Sequence, residues 1–487
     1  MTADDERRVL ATVPTQLWIG GKWMDGSAGK FDVRDPATGV VLTQVADASV
    51  ADGNAALSAA AGAQAGWAAT PPRDRAEILR RAFDAMTARA DELALLMTLE
   101  MGKPLAEAKG EVMYAAEFFR WFSEEACRIE GTYQVAPDGA SRLMTMRQPV
   151  GPCVFITPWN FPLAMGTRKI GPAIAAGCTM VVKPAEETPL SMLALANIMT
   201  EAGLPDGVLN VVTTMKPAQV MESLIRNPQT RKLSFTGSTE VGHKLVEQSA
   251  TQLLRLSMEL GGNAPFLIFD DADLDAAVEG AMLAKMRNMG EACTAANRFY
   301  VHASVAQDFA DRLTRRMRAL KVGRGTETGV HVGPLITAAA REKVEELVAD
   351  AVDHGGKVTT GGVRPDGKGF FYPPTVVTAV TQGARILHEE VFGPVAPIAT
   401  FESDEEALAA ANDTKYGLVS YAYTRDFSRS LKIAEGLESG MVGLNTGVVS
   451  NPAAPFGGVK ASGYGREGGR EGINEYLEVK YVGLGIS

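Results

Sequence analysis

The sequence contains few residues that form disulfides or bind metal ions. Its 487 residues include only four cysteines and five histidines. Disulfide-stapled folds are short and rich in cysteine, so this chain is not built on a disulfide framework. The cysteines form no CxxC pair and the histidines no HExxH motif, and we therefore predict no metal site.

The chain also lacks long apolar runs and an excess of positive charge. No segment approaches the roughly 18 consecutive apolar residues typical of a membrane-spanning helix. The N-terminal residues show no apolar stretch of the kind found in signal peptides. A net charge of −10 disfavours nucleic-acid binding, which requires a basic surface. We therefore expect a cytoplasmic protein that binds neither membranes nor nucleic acids.

What is present is the composition of a globular protein with more than one domain. Hydrophobic residues make up 46% of the chain and charged residues 22%, which are ordinary values for folded proteins. A chain of this length predicts two or three domains.

From residue 151 onward, short apolar runs alternate with helical patterns. Apolar runs at 153–157, 179–183, 209–213 and 233–236 are each followed by a helical pattern, which predicts βαβ units and a parallel sheet. Thr188 and Pro189 are expected to begin one of these helices, with Thr188 as its N-cap. Sheets of this kind bind ligands at the carboxyl ends of their strands.

A second alternation of strands and helices runs from Pro265 to about Leu444. The α/β fold class therefore extends over most of the chain. Gly261 and Gly262 separate the two halves, and we expect a hinge there because glycine permits unusual backbone angles. Residues 131–149 and the tail after Glu475 are predicted to form strands without helices.

Residues 463–468 (GYGREG) match the GxGxxG pattern of dinucleotide-binding proteins. That pattern requires a preceding strand, a following helix and a further strand with an acidic residue about 20 positions on. About twenty residues remain after the match, so the unit does not fit. A glycine-rich turn near a domain contact is the better interpretation.

Three side chains are candidates for chemistry, although each has an ordinary structural alternative. Cys293 follows a helix in a glycine-containing loop, but a lone cysteine is more often a small buried hydrophobe. Glu259 ends an apolar run, where a carboxylate can be a general base or simply a solvated surface group. Asn160 lies between a strand and a helix, where its amide can donate to an oxyanion or form a turn. Residues 235–242 contain the start of a helix, whose backbone amides could bind a phosphate. This feature alone is weak evidence for a phosphate site.

Seven segments together resemble the aldehyde dehydrogenase superfamily over nearly the whole chain. They occur in the family's order as ITPWNFP, KPAEETPL, FTGSTEVG, MELGGNAP, NMGEAC, EEVFGPV and PFGGVKASGYGREG. The resemblance implies a Rossmann-like NAD-binding domain at 1–130 and 150–260 and an α/β catalytic domain at 261–445. It also implies oligomerisation strands at 131–149 and 475–487, and a homodimer or homotetramer.

The resemblance also implies roles for individual residues. Cys293 is the expected nucleophile, Glu259 the general base for deacylation, and Asn160 with the Cys293 backbone amide the oxyanion hole. An aldehyde would form a thiohemiacetal and then a thioester on Cys293, with hydride passing to NAD or NADP. The residues expected to bind the cofactor are Thr157, Trp159, Lys183, Glu186, Gly237, Ser238, Leu260, Glu390 and Phe392.

Four further segments resemble the succinate-semialdehyde dehydrogenase branch: MGKPLAEAKG, RKIGP, FDDADL and NTGVVS. This resemblance implies that Arg168, Arg287 and Ser450 bind the substrate carboxylate, because guanidinium groups can hold a carboxylate through two hydrogen bonds. Succinate semialdehyde is the expected substrate, with glutarate semialdehyde or a broad range of aliphatic aldehydes as alternatives. The Glu186 carboxylate can accept a hydrogen bond from a ribose hydroxyl and would repel a 2′-phosphate, so we expect NAD to be preferred. The positive charge of Lys183 would allow NADP to bind as well.

Two positions depart from the pattern of the family. Some members of this branch have a second cysteine two residues after the nucleophile, whereas this chain has Ala295, and we predict no disulfide switch. Glu291 replaces a usual glutamine, and an ionised carboxylate there would disfavour the Cys293 thiolate if it pointed inward. The sequence leaves two rival functions open: a thiol hydrolase or acyltransferase that uses Cys293 without redox chemistry, and a non-catalytic NAD-binding protein.

Overall fold

A computed structural model describes residues 2–485, which form twenty strands and fifteen α-helices. The strands are β1 (Leu17–Ile19), β2 (Lys22–Met24), β3 (Lys30–Arg34), β4 (Val41–Ala46), β5 (Thr132–Val135), β6 (Ser141–Pro149), β7 (Cys153–Ile156), β8 (Met180–Lys183), β9 (Leu209–Val211), β10 (Lys232–Thr236), β11 (Arg255–Glu259), β12 (Ala264–Ile268), β13 (Ala296–His302), β14 (Lys357–Thr360), β15 (Thr375–Thr378), β16 (Val395–Phe401), β17 (Val419–Tyr423), β18 (Met441–Leu444), β19 (Gly463–Tyr464) and β20 (Leu477–Gly485). The helices are α1 (Ala3–Thr12), α2 (Val50–Ala69), α3 (Pro72–Ala88), α4 (Ala90–Met101), α5 (Leu105–Glu125), α6 (Ala164–Ala176), α7 (Leu190–Glu201), α8 (Pro217–Ile225), α9 (Thr239–Ser249), α10 (Leu274–Met286), α11 (Ala306–Arg318), α12 (Ala338–Asp353), α13 (Asp404–Asn412), α14 (Phe427–Gly436) and α15 (Gly469–Asn474).

The first large sheet has the strand order β19-β11-β10-β7-β8-β9-β1-β2. Its five central strands are parallel, and four of them, β7 to β10, are almost entirely buried, as expected for strands covered by helices on both faces. The chain proceeds from β7 to β8 and β9 on one side and returns to β10 and β11 on the other. The strand order therefore reverses between β7 and β10, and this switch point opens a crevice at their carboxyl ends.

The second large sheet has the order β14-β15-β16-β13-β12-β17-β18. All of its neighbouring strands are parallel except the β14–β15 pair. Aromatic rings stack on its inner strands, with Phe266 of β12 against Phe299 and Tyr423 at centroid distances of 5.2 and 5.1 Å. These buried rings form a second apolar core, separate from the core of the first sheet.

The two segments predicted as strands without helices pair with each other. Strand β6 lies between β20 and β5 in an antiparallel sheet. The outer strands expose large side chains, including Tyr133, Val135, Val479 and Tyr481. Ile486 and Ser487, the end of the predicted 475–487 segment, lie outside the described residues. Within residues 2–485, no helix combines the length and the apolar character needed to cross a bilayer.

The structure corrects the expectation that Thr188 caps helix α7. Helix α7 begins at Leu190, and Thr188 does not cap it: the carboxylate of Glu100 accepts hydrogen bonds from the Leu190 and Ser191 amides at 2.7 and 2.9 Å. A carboxylate from a distant helix thus satisfies the amides that a local cap would otherwise satisfy.

The glycines between the two sheets are required for space. Neither Gly261 nor Gly262 adopts a positive φ, so unusual backbone angles do not explain them. A Cβ on Gly262 would lie 2.4 Å from the Cys293 carbonyl oxygen, and one on Gly261 would lie 2.9 Å from a Glu390 carboxylate oxygen. The connection between the sheets is therefore packed tightly against the predicted active site.

The GxGxxG segment does not begin a dinucleotide-binding unit. Gly463 and Tyr464 form the edge strand β19, which pairs antiparallel with the end of β11 and places Gly463 opposite Glu259. This arrangement brings the residues after Gly463 next to the predicted general base.

Candidate active site

A cavity of about 270 Å³ lies between the two large sheets and is lined by Asn160, Glu259 and Cys293. Asn160 follows β7 and Glu259 ends β11, so both lie at the carboxyl edge of the first sheet. Cys293 comes three residues before β13, at the amino edge of the second sheet. Residues far apart in the sequence therefore meet where the two sheets face each other.

The loop before Cys293 is bent by three consecutive residues in the left-handed region. Asn288, Met289 and Gly290 have φ angles of 53°, 55° and 80°. For a residue other than glycine this conformation costs about 1–3 kcal/mol. At Gly290 a side chain is excluded altogether, because a Cβ would lie 2.2 Å from the Gly393 carbonyl oxygen. The bend leaves the Cys293 side chain half-buried at the cavity wall.

Hydrogen bonds hold Asn160 against this loop. Its Oδ1 accepts from the Phe161 amide at 3.1 Å, which fixes the orientation of the side-chain amide. Its Nδ2 donates to the Glu291 carbonyl at 3.0 Å. A side-chain amide carries two N–H donors, so one remains to stabilise an oxyanion formed beside Cys293.

Glu259 is buried, and neither of its carboxylate oxygens has a hydrogen-bond partner. Burial, together with the nearby charge of Glu467, raises the pKa of Glu259 well above the usual carboxyl value. Glu467 in turn contacts Arg168 and Lys169, with N–O distances of 2.7 and 2.5 Å. The two cations are thus paired with Glu467, and the pKa of Glu259 stays raised, which makes this carboxylate a stronger base than an exposed one.

The surroundings of the Cys293 thiol favour its protonated form. Burial raises its pKa to about 12, with Arg168 and Arg287 acting in the opposite direction. The charges of Glu259 and Glu390 add to the increase. The sulfur must therefore lose its proton as it attacks a substrate.

The same cavity contains six of the residues predicted to bind a cofactor: Trp159, Gly237, Ser238, Leu260, Glu390 and Phe392. The Trp159 and Phe392 rings meet edge to face at 5.4 Å. The Glu390 carboxylate accepts a hydrogen bond from the Gly262 amide at 3.0 Å. Burial raises the pKa of Glu390 to about 7. Ser238 caps helix α9 by accepting the Val241 amide, so the amino end of this helix opens towards the cavity.

Three predicted cofactor residues lie beyond the cavity wall. The Lys183 ammonium is 2.8 Å from a Glu186 carboxylate oxygen. Burial favours a higher pKa for Glu186, but the charge and hydrogen bond of Lys183 outweigh it and lower the pKa. The buried Thr157 hydroxyl has no partner, and neither has the Thr236 hydroxyl at the end of β10. Unpaired hydroxyls, two carboxylates and a helix amino end are groups that fit the hydroxyls and phosphates of a nicotinamide dinucleotide.

The residues predicted to bind a substrate carboxylate are only partly brought together. Arg287 Nη1 donates to Ser450 Oγ at 3.3 Å, and its guanidinium lies 4.9 and 5.4 Å from the ring centroids of Phe161 and Tyr114. Arg168 is buried and paired with Glu467, 4.0 Å above the Phe456 ring. Arg287 and Ser450 therefore form one pair, while Arg168 faces the carboxylate network behind Glu259.

Glu291 points inward rather than to solvent. Its side chain is buried, with one oxygen accepting the Ile336 amide at 3.1 Å and the other without a partner. Burial raises its pKa well above the usual carboxyl value. A protonated Glu291 would be neutral, like the glutamine it replaces, so it would not oppose formation of the thiolate.

Glu467 was missed by the sequence analysis, although it lies inside the GYGREG segment that was rejected as a cofactor motif. Only the pairing of β19 with β11 brings it to Glu259. Lys169, which pairs with Glu467, directly follows Arg168 in the sequence. No local pattern predicts that these residues contact each other.

The raised pKa of Glu291 predicts a pH-dependent difference in stability for Glu291→Gln. The unfolded state releases this proton near pH 4.5, whereas the folded state holds it to higher pH, so the wild type loses stability as pH rises through this interval. The glutamine variant should therefore gain thermal stability relative to wild type as pH rises above 4.5, with turnover retained. The exposed Glu342→Gln serves as a control. A stability difference that is constant with pH would contradict a protonated Glu291.

Comparison with known proteins agrees with this geometry. The model of the Aldehyde dehydrogenase family matches residues 23–482. A succinate-semialdehyde dehydrogenase of Paenarthrobacter nicotinovorans is 58% identical, covering 91% of this chain and 99% of that protein. The Escherichia coli NADP(+) succinate-semialdehyde dehydrogenase GabD is 50% identical over 97% of this chain and 98% of its own length. A glutarate-semialdehyde dehydrogenase of Pseudomonas aeruginosa is 50% identical, with coverages of 96% and 97%.

The fold is shared with solved structures. The crystal structure of succinate-semialdehyde dehydrogenase from Burkholderia pseudomallei superposes with a TM-score of 0.96 at 51% identity, covering 98% of this chain and 99% of that one. These comparisons confirm the predicted α/β fold class and the resemblance to aldehyde dehydrogenases that the sequence segments indicated. The chain belongs to the aldehyde dehydrogenase family.

Proposed function

We propose that this enzyme oxidises succinate semialdehyde to succinate with NAD as the preferred cofactor. The observation that carries this proposal is the Arg287–Ser450 pair, a cation and a hydroxyl at 3.3 Å. Arg287 is close enough to the nucleophile to favour its thiolate. A guanidinium in that position recognises the carboxylate at the far end of a short semialdehyde.

The side chains around the cavity account for each part of the reaction. As its proton leaves, the Cys293 sulfur attacks the aldehyde carbon and forms a thiohemiacetal. The Asn160 amide and the Cys293 backbone N–H stabilise its oxyanion, on the order of 3 kcal/mol for one such donor. A bound NAD(P) supplies the hydride acceptor that this oxidation requires. Glu259 then deprotonates a water molecule that hydrolyses the Cys293 thioester to the acid.

The role of Glu259 predicts the kinetics of Glu259→Gln. The amide cannot take a proton from water, so acylation should proceed while hydrolysis of the thioester stalls. Stopped-flow absorbance should show one burst of NADH per active site followed by a rate at least about 10²-fold below wild type. The exposed Glu405→Gln should behave like wild type. Linear, slow NADH formation without a burst would place Glu259 before the thioester rather than after it.

The proposed carboxylate contact predicts a substrate-dependent effect of Arg287→Ala. The kcat/KM for succinate semialdehyde should fall by about 10- to 150-fold, since about 1.5–3 kcal/mol is lost with a charged hydrogen bond. Butanal has no carboxylate, and its kcat/KM should change by only a few-fold. The exposed Arg315→Ala is the matched control. Equal losses for both aldehydes would contradict a carboxylate contact at Arg287.

Glutarate semialdehyde is a second candidate substrate, and it is favoured by the similarity to the Pseudomonas aeruginosa enzyme named for it. The two semialdehydes differ by one methylene, worth only about 1–3 kcal/mol of discrimination. Arg287 and Ser450 would bind either carboxylate, so measurable activity with both is expected, with succinate semialdehyde as the better substrate.

The preference for NAD rests on Glu186. Its carboxylate is partly exposed and ionised, with its pKa held low by Lys183, and it would repel a 2′-phosphate. We expect a higher kcat/KM for NAD than for NADP, and Glu186→Ser should shift the ratio towards NADP by freeing the Lys183 ammonium. Steady-state kinetics with both cofactors test this, and a wild-type preference for NADP, as named for the Escherichia coli relative, would refute it.

Subunit pairing through the three-stranded sheet is part of the proposal. Its outer strands β5 and β20 expose backbone edges and the Tyr133, Val135, Val479 and Tyr481 side chains. Exposed strand edges of this kind offer unpaired backbone groups with which another chain can pair, which supports a homodimer or homotetramer. All four cysteines are free thiols, which suits the reducing cytoplasm.

A further inference from the structure

A row of charged side chains at the start of helix α5 lies against the Asn160 segment. The buried Lys103 and Glu111 form an ion pair with an N–O distance of 2.5 Å. The Lys103 ammonium also donates to the Asn160 carbonyl at 2.8 Å. The second Glu111 oxygen accepts the Leu163 and Ala164 amides at 3.0 and 3.1 Å. The backbone around Asn160 is therefore anchored to this helix.

The third member of the row, Glu107, contacts the other side of the active site. Its Oε2 accepts the backbone amide of Asn288 at 2.5 Å. Asn288 is the first of the three residues in the left-handed bend before Cys293. Glu107 and Glu111 are separated by one helical turn, so one face of α5 contacts both catalytic loops.

Asn288 connects the two loops through its side chain as well. Its Nδ2 donates to the Asn160 carbonyl and to the Glu291 carbonyl, at 2.9 Å in each case. The Glu291 carbonyl is the same atom that accepts from the Asn160 side chain. A shift of Asn288 would therefore change where the proposed oxyanion donor lies relative to Cys293.

The residue before Asn288 is Arg287, the cation of the proposed carboxylate contact. A rotation of the backbone at Asn288 would displace the Arg287 guanidinium from Ser450 and the Asn160 amide from Cys293 together. Backbone in the left-handed region is held only where its surroundings favour it, and the hydrogen bond from the Asn288 amide to Glu107 is a direct restraint of this kind.

We propose that Glu107 is a positioning residue: by accepting the Asn288 amide, its side chain holds the left-handed bend that aligns Cys293, Asn160 and Arg287. The part concerning Arg287 rests on the proposed function. The part concerning Asn160 and Cys293 applies to oxidation of any aldehyde.

Two conservative variants separate hydrogen bonding from charge. Glu107→Gln keeps a side-chain oxygen at the same distance along the chain but removes the charge. Glu107→Asp keeps the charge but withdraws the acceptor by one methylene. Glu107→Ala removes both, and Glu124→Ala, at an exposed position on the same helix, is the matched control. Each variant is assayed with succinate semialdehyde and with butanal, and its thermal unfolding is recorded.

We expect Glu107→Gln to stay within a few-fold of wild type with both aldehydes. Glu107→Asp and Glu107→Ala should lose kcat with both, on the order of 10²-fold, because the donor and the nucleophile are misaligned. These two variants should also show a raised KM for succinate semialdehyde but not for butanal, because only the former needs Arg287. A purely structural role would lower the unfolding temperature without this split between substrates.

The proposal is overturned if Glu107→Asp retains activity while Glu107→Gln loses it, if the two variants lose activity equally, or if both match wild type. Should Glu107→Ala fail to fold, the Gln and Asp variants carry the test alone. A wild-type enzyme that oxidises butanal but not succinate semialdehyde would instead refute the proposed substrate, and the kcat comparison with butanal would still test Glu107.

Discussion

The active site depends on a hydrogen-bonded contact between Asn160 and the loop before Cys293, which joins the two halves of the molecule. The Asn160 side-chain amide, at the carboxyl edge of the first sheet, donates to the Glu291 carbonyl in the loop that leads to the second. The nucleophile and the proposed oxyanion donor therefore belong to different sheets and are aligned by this contact, which is reinforced by the hydrogen bond from the Asn288 side chain to the Asn160 carbonyl. The glycines at 261 and 262 allow the close approach, because any side chain there would overlap Cys293 or Glu390.

Burial of carboxyl groups is the second organising feature of the cavity. Glu259, Glu291 and Glu390 all surround or adjoin Cys293, and burial raises the pKa of each. Desolvation disfavours their ionised forms, so the site limits the negative charge around a sulfur that must become a thiolate. Glu467 differs, because its contacts with Lys169 and Arg168 keep its pKa low despite burial. Because its pKa is raised, Glu259 is a stronger base than an exposed carboxylate and ionises less readily beside the nucleophile.

The sequence was most informative where chemistry depends on short segments. The α/β alternation predicted parallel sheets, and the segments around Asn160, Glu259 and Cys293 resembled one family strongly enough to identify it. It was least informative about contacts between distant segments. Glu467 reaches Glu259 only through pairing of β19 with β11, and Glu100 caps α7 from a helix about ninety residues earlier. Arg168 was expected beside Ser450, yet it pairs with Glu467, because the partner of a buried charge is set by packing and not by local sequence.

The central claim is that Cys293 carries the acyl group across the cleft between the sheets. Peptide mass spectrometry of enzyme quenched with acid during turnover on succinate semialdehyde and NAD tests it most directly. The account predicts a succinyl group on the peptide that contains Cys293, which is lost on treatment with hydroxylamine, as thioesters are. An acyl group on another residue, or NADH formation with Cys293 unmodified throughout, would contradict it.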